Sequence, residues 1–369
     1  MATHRLPTVR VAAVQAAPAF LDSQATIEKV ADLVAEAARN GAHLVAFGET
    51  FLSGFPIWNG VLAPIDQHAL HERLVLSAIT VPGLETARLA SIAQRHRVML
   101  SIGVNERSAV TYGQVWNANL MFSPDGRLRN HRRKLVGTWY ERLTWSHGDG
   151  YDLAPVPLDG QNGAMVGALI CGENTNTLAR YALLAQGENL HISSYPPSWP
   201  FDRRQPDYDY DLEDSIRIRS VAHSFEGKLY NVVAATSLNQ EAVEATSGGD
   251  PRIGELLSTR PPVSLIVGPR GQVVAGPLIG DEGILYADAD LNESIALKQA
   301  HDIVGTYNRF DVFKVTLDKR RYDPITLIGN DSHAAANSVV PLAVPGTSRE
   351  VPGTGDGRAI DLHHPANNG

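Results

Sequence analysis

Short blocks of apolar and small residues alternate with amphipathic stretches along most of the chain, and the alternation predicts its elements. From Thr8 the segment TVRVAAVQ is rich in small and β-branched residues and is closed by Pro18, which reads as a buried strand. Asp22 or Ser23 can then cap a helix in which Ile27, Val30, Val34 and Ala37 recur at helical spacing until Asn40 and Gly41 stop it. HLVAF, from His43 to Phe47, follows as a second strand. Strand, helix and strand in that order imply a parallel pair with a crossover helix.

The pattern continues with a helix from Leu84 to about Arg97, the strand VMLSIGVN, and a strand in WNANLMFSPDG that runs into a Pro-Asp-Gly turn. GAMVGALIC is a continuous apolar strand, followed by a helix from about Thr175 to Gln186 that stops at Gly187, and by the strand LHISS. A helix from about Leu212 to Phe225 precedes the strand YNVVAATS. Last come VSLIVGPRGQVVAGP, a hairpin around Pro269 to Gln272, and GILYADADL, an edge strand or the final rung of a sheet. Together these predict an α/β protein with mixed sheets over residues 1–326. No repeat of solenoid or propeller length is visible. Residues 327–369, dense in Gly, Pro, Asn and Ser without periodicity, read as a flexible tail.

Composition narrows the function classes. The 369 residues carry 32 Lys+Arg against 40 Asp+Glu, a net charge of -8, so neither nucleic acid nor an anionic membrane is an expected partner. An apolar content of 43% belongs to a folded chain and excludes disorder over most of the length. The opening MATHRLPTVRVAAVQAAPAF is interrupted by Arg10 and closed by Gln15, which does not fit a secretory h-region, and runs such as Ala164 to Cys171 fall far short of a membrane span. A single cysteine, Cys171, leaves no intramolecular disulfide, no CxxC pair and no zinc site built on two thiolates. These features point to a cytoplasmic protein.

Three residues offer chemistry. Cys171 closes an apolar strand just before Gly172, Glu173 and Asn174, where a thiol would stand at a sheet edge beside amide donors able to stabilise negative charge. The competing reading is an inert core cysteine. Glu49, in AFGETFLSGFP, follows the strand His43 to Phe47 and so stands at the mouth of an open sheet; its alternative is a turn or capping acid. Lys134 sits among Leu135, Val136 and Trp139, within a basic run of His131, Arg132, Arg133 and Lys134 that otherwise reads as a solvated face. His68, His71 and Glu72 lack HExxH spacing, and no metal site is assigned to them. G-x-S-x-G, Walker and G-x-G-x-x-G motifs are absent.

Taken together, VRVAAVQAAPAFLD, AFGETFLSGFP, HRRKLVGTWYERLTWSHGDG and ALICGEN resemble, in order, the motifs of the nitrilase superfamily of carbon-nitrogen hydrolases, from about Val9 to Phe313. The spacing agrees: Lys134 lies 85 residues after Glu49, and Cys171 another 37 on. TWYERLTW and DIVGTYNRFDVF are more like true nitrilases than like amidases or carbamoylases. The resemblance implies a four-layer α-β-β-α sandwich, a homo-oligomer that is either a dimer or a larger assembly such as a spiral, and no cofactor or metal. It also implies a Glu-Lys-Cys triad with Glu49 as general base, Lys134 as the stabilising cation and Cys171 as nucleophile, and with Glu141 as a second glutamate beside them.

Under that resemblance the substrate is an organic nitrile, converted to acid and ammonia. The alternatives are an amidase or cyanide-degrading relative with the same triad, or a catalytically silent scaffold of the same fold. Gly172 departs from the family, many nitrilases having tryptophan there, and the departure keeps the amidase alternative open. Gly172, Tyr195, Trp199 and Trp58 are the expected substrate-binding positions, the three aromatics having ordinary core packing as their alternative.

Overall fold

The computed structural model describes residues 5–199 and 210–322, so the tail expected from 327 lies outside the described residues. In chain order the elements are β1 (Thr8–Gln15), α1 (Ser23–Arg39), β2 (Leu44–Ala46), α2 (His68–Ser77), α3 (Leu84–His96), β3 (Met99–Arg107), β4 (Val115–Phe122), β5 (Leu128–Arg133), β6 (Val156–Pro157), β7 (Met165–Ile170), α4 (Thr177–Ala185), β8 (Leu190–Tyr195), α5 (Leu212–Gly227), β9 (Tyr230–Ala235), α6 (Gln240–Ser247), α7 (Pro251–Ser258), β10 (Val263–Val267), β11 (Val273–Ile279), β12 (Gly283–Asp290) and α8 (Glu293–Ala300). Asp22 caps α1 by accepting from Ala25 N at 2.9 Å.

Two six-stranded sheets result, in the orders β12-β1-β2-β3-β4-β5 and β11-β10-β9-β8-β7-β6. Each has a parallel centre, β1-β2-β3 in one and β7-β8-β9 in the other, flanked by antiparallel strands. The last strand, β12, forms an edge of the first sheet, pairing with β1 from Thr8↔Asp290 to Gln15↔Gly283.

The period-2 geometry of a strand sorts each strand's residues onto two faces, and both faces are apolar here. Val9, Val11, Ala13, Leu44 and Met99 of the first sheet meet Val166, Ala168, Ile192 and Val232 of the second. Ala12, Val14, Val45 and Leu100 turn the other way, onto Ile27, Val30 and Val34 of α1 and Leu89 of α3. Val233, Leu265 and Val267 of the second sheet pack on Leu212 and Ile216 of α5. The layers are therefore helix, sheet, sheet, helix, the α-β-β-α sandwich.

Two local findings differ from the sequence pattern. α4 starts at Thr177, capped by Asn176, rather than at Thr175, because Cys171–Thr175 winds as a tighter 3-10 turn first. And LRNHRR is a strand, β5, although it has no apolar alternation: Asn130 and Arg132 point inward and are buried.

Candidate active site

The parallel centres deliver residues to one edge. After β2 the chain passes Gly48 and reaches Glu49; a Cβ on Gly48 would stand 2.1 Å from Thr236 N, and one on Gly103 of β3 would stand 2.4 Å from Gly48 O, so only glycine lets the backbone thread between β3 and the end of β9. Glu49 is pinned there, its N–H donating to Tyr195 O (3.1 Å) and its carbonyl accepting from Thr236 Oγ1 (2.8 Å). Lys134 follows β5 directly, and Cys171 follows β7 directly.

All of these side chains are buried, as is Glu141. Lys134 Nζ donates to Glu49 Oε1 and to Glu141 Oε2, each at 2.6 Å, and Asn117 Nδ2 of β4 donates to the same Glu49 oxygen at 2.6 Å. Thr138 N donates to Glu141 Oε2 at 2.7 Å, fixing the second carboxylate. The ammonium also lies 5.5 Å from the ring centre of Trp145. One carboxylate oxygen from each glutamate and the Cys171 sulfur lie within 4.8 Å of one another. Glu49 Oε2 has no hydrogen-bond partner among the described residues.

Burial governs the protonation states. It raises Glu49 from 4.5 to about 7, against the pull of Lys134. It would lower Lys134, but Glu141 and Glu49 outweigh it and hold the ammonium above its usual value. Burial, with Glu49, pushes the Cys171 thiol well up, and Lys134 only partly offsets this. The resting site thus holds a neutral thiol beside a carboxyl poised near neutrality and a permanent cation.

Cys171 has a φ of +49°, a left-handed conformation costly for a residue with a Cβ. Its neighbours hold it. Glu173 accepts from Ile170 N (2.9 Å) and from Leu135 N (2.6 Å), and Arg132 Nη1 donates to it at 2.7 Å. One carboxylate therefore ties the residue before the nucleophile to the residue after the lysine. Behind the turn, Asn174 Nδ2 donates to Cys171 O at 3.0 Å, while Asn174 Oδ1 contacts His191 Nε2 at 3.1 Å. His191 Nδ1 pairs with Glu188 Oε1 (2.6 Å), and Glu188 Oε2 with His223 Nε2 (2.9 Å). Burial pulls His191 down to about 3 and His223 to about 4, so both rings are neutral at neutral pH.

Glu188, His191 and His223 also form a group whose donor atoms would suit a metal, as do Glu49, Glu141 and Cys171. In the first group both Glu188 oxygens already pair with the two rings; in the second, Lys134 supplies the positive charge. His68, His71 and Glu72 lie apart from both, on α2.

A cleft of about 240 Å³ opens on Cys171, lined by Thr138, Trp139, Gly172, Trp199 and Tyr210 among others. A Cβ on Gly172 would meet Thr138 Oγ1 at 2.9 Å, so the glycine keeps this wall open. Trp199 stacks on Tyr140 with ring centres 4.6 Å apart. Tyr195 and Trp58 are not in the cleft lining; both are buried in the apolar cluster that includes Cys171, and Trp58 packs edge-on against Phe20. Glu173, Asn117, Asn174, Arg132 and Arg219 were not singled out from sequence. The one available signal was CGEN itself, where Glu173 stands two residues past the nucleophile.

Residues 10–299 match the model of the carbon-nitrogen hydrolase family. The chain is 32% identical to an aliphatic nitrilase of Rhodococcus rhodochrous over 97% of this chain and 95% of that protein, and 33% identical to a nitrilase of Paraburkholderia phymatum over 93% and 96%. An arylacetonitrilase of Fusarium vanettenii is 32% identical over 86% and 94%. Among solved structures, a carbon-nitrogen hydrolase from Helicobacter pylori superposes with a TM-score of 0.62 at 18% identity, over 83% of this chain and 97% of that one, which bears on the fold alone. The chain therefore belongs to the carbon-nitrogen hydrolase family, the nitrilase superfamily, and within it to the nitrilase branch of hydrolases acting on carbon-nitrogen bonds.

Proposed function

We propose that the protein is a nitrilase that converts an organic nitrile and two waters to a carboxylate and ammonium through a covalent adduct on Cys171. The observation that carries this reading is the meeting of Glu49, Lys134 and Glu141 around the chain's one thiol. Glu49 takes the Cys171 proton as sulfur adds to the nitrile carbon, which a carboxyl poised near 7 does better than one at its ordinary value. Lys134, held cationic and oriented by Glu141, has an N–H left beyond its two glutamate bonds for the charge developing on nitrogen, and the Gly172 backbone N–H is a second donor. Water adds to the thioimidate, ammonia leaves, and a second water activated by Glu49 hydrolyses the thioester.

The open wall at Gly172 favours one further reading, an amidase using the same triad, since an amide enters the path at the tetrahedral stage. Exposed Tyr307, Phe310 and Phe313 support a homo-oligomer, measurable by light scattering. The deciding experiment is ammonia release from a panel of nitriles and their amides. Turnover of nitriles, abolished in Cys171→Ala, supports the nitrilase; turnover of amides alone supports the second reading.

A further inference from the structure

Among the described residues that line the cleft at Cys171, one is a cation. Arg219 of α5 lines the same cleft as Trp139, Trp199 and Leu212. Its Nε donates to Thr175 Oγ1 and its Nη2 to the Tyr210 hydroxyl, both at 2.7 Å and both neutral acceptors. Among the described residues no carboxylate pairs with it; its other polar neighbours are the Tyr195 hydroxyl and the Cys171 thiol.

The neighbouring arginines behave differently. Arg132 faces Glu173 at 2.6 Å, Arg133 faces Glu106 at 2.5 Å and Arg180 faces Glu226 at 2.9 Å. A partly buried guanidinium without a counter-charge is costly in an otherwise aromatic and apolar pocket, and its planar donors suit a carboxylate better than any other common group. Tyr195 is fully buried beside it, and its hydroxyl, a neutral group, adds no counter-charge. The cleft, about 240 Å³, lies below the roughly 300–1,000 Å³ of drug-sized sites, which limits the spacer between the two ends of a ligand.

We propose that the cleft takes a compact nitrile bearing a carboxylate at its far end, with Arg219 recognising that carboxylate while Cys171 meets the cyano carbon. This rests on the nitrilase reading above and specifies its substrate class. The net reaction is a cyano carboxylate plus two waters to a dicarboxylate plus ammonium, so the enzyme would produce a short dicarboxylic acid.

The test measures kcat and KM of wild type and Arg219→Gln on straight-chain cyano carboxylates and on neutral nitriles in which an isopropyl group replaces the carboxylate. Wild type is expected to favour the charged series, and Arg219→Gln to cut that preference by about 30-fold, mainly through KM, as befits loss of a charge-assisted hydrogen-bond pair. An unchanged preference, or a wild type that hydrolyses only the neutral series, overturns the proposal. Calorimetric binding of the dicarboxylate product to Cys171→Ala, alone and combined with Arg219→Gln, separates the two claims. Arg219-dependent binding without turnover of any nitrile upholds the carboxylate site and removes the nitrilase reading; nitrile turnover with no such binding does the reverse.

Discussion

Glu173 is the place where one atom change tests the architecture of the site. It is buried, it is the only carboxylate on the equally buried Arg132 among the described residues, and it receives the backbone N–H groups of Ile170 and Leu135. Glu173→Gln keeps an amide oxygen for one of these donors but leaves Arg132 without a counter-charge, and breaking a buried pair from one side costs about 3–5 kcal/mol. The two tethered backbone positions adjoin Cys171 and Lys134, so their loosening also misplaces nucleophile and cation; an offset near 1 Å costs about 100-fold in rate. Urea unfolding followed by fluorescence, alongside ammonia release, measures both effects. Replacing the pair together, Arg132→Met with Glu173→Gln, removes the orphaned charge while keeping an acceptor for a backbone N–H, and is expected to recover most of the stability while leaving the rate low. A Glu173→Gln protein within about 1 kcal/mol of wild type and within about threefold in kcat/KM would refute this reasoning.

Two further predictions concern the nucleophile and its walls. Because burial raises Glu49 to about 7 and the carboxylate is the form that accepts a proton, kcat/KM is expected to rise with pH to half its plateau near 7, and Glu49→Gln to lose turnover by orders of magnitude; a midpoint near the ordinary 4.5 would remove Glu49 as the base. Gly172→Trp places a Cβ 2.9 Å from Thr138 Oγ1 and fills much of the cleft, so KM for the bulkier nitriles is expected to rise about tenfold or more with the fold retained by circular dichroism; an unchanged KM series would show that substrate does not pass this wall.

The sequence carried the parallel centres because a strand buried on both faces is written as an unbroken apolar run, as in β1 and β7. Glu49 and Cys171 were legible for the same reason: each follows such a run. β5 was not, since its inward positions are Asn130 and Arg132, and hydropathy scores a buried charge as a solvated one; the strand pairs with β4, and Glu173 and Glu106 supply the counter-charges for Arg132 and Arg133. The expected aromatics differ in where the structure places them. Trp199 and Tyr195 flank one loop start, yet only Trp199 enters the cleft, and the end of β8 turns Tyr195 into the core. Arg219 gave no signal, because an arginine on an amphipathic helix ordinarily faces water.

The most direct measurement is mass spectrometry of the protein quenched during turnover of a nitrile. An acyl or imidoyl mass on the peptide that contains Cys171, appearing with substrate and vanishing as it is exhausted, is the predicted result. Ammonia released at an undiminished rate by Cys171→Ala, with no adduct on the wild-type peptide, would contradict it.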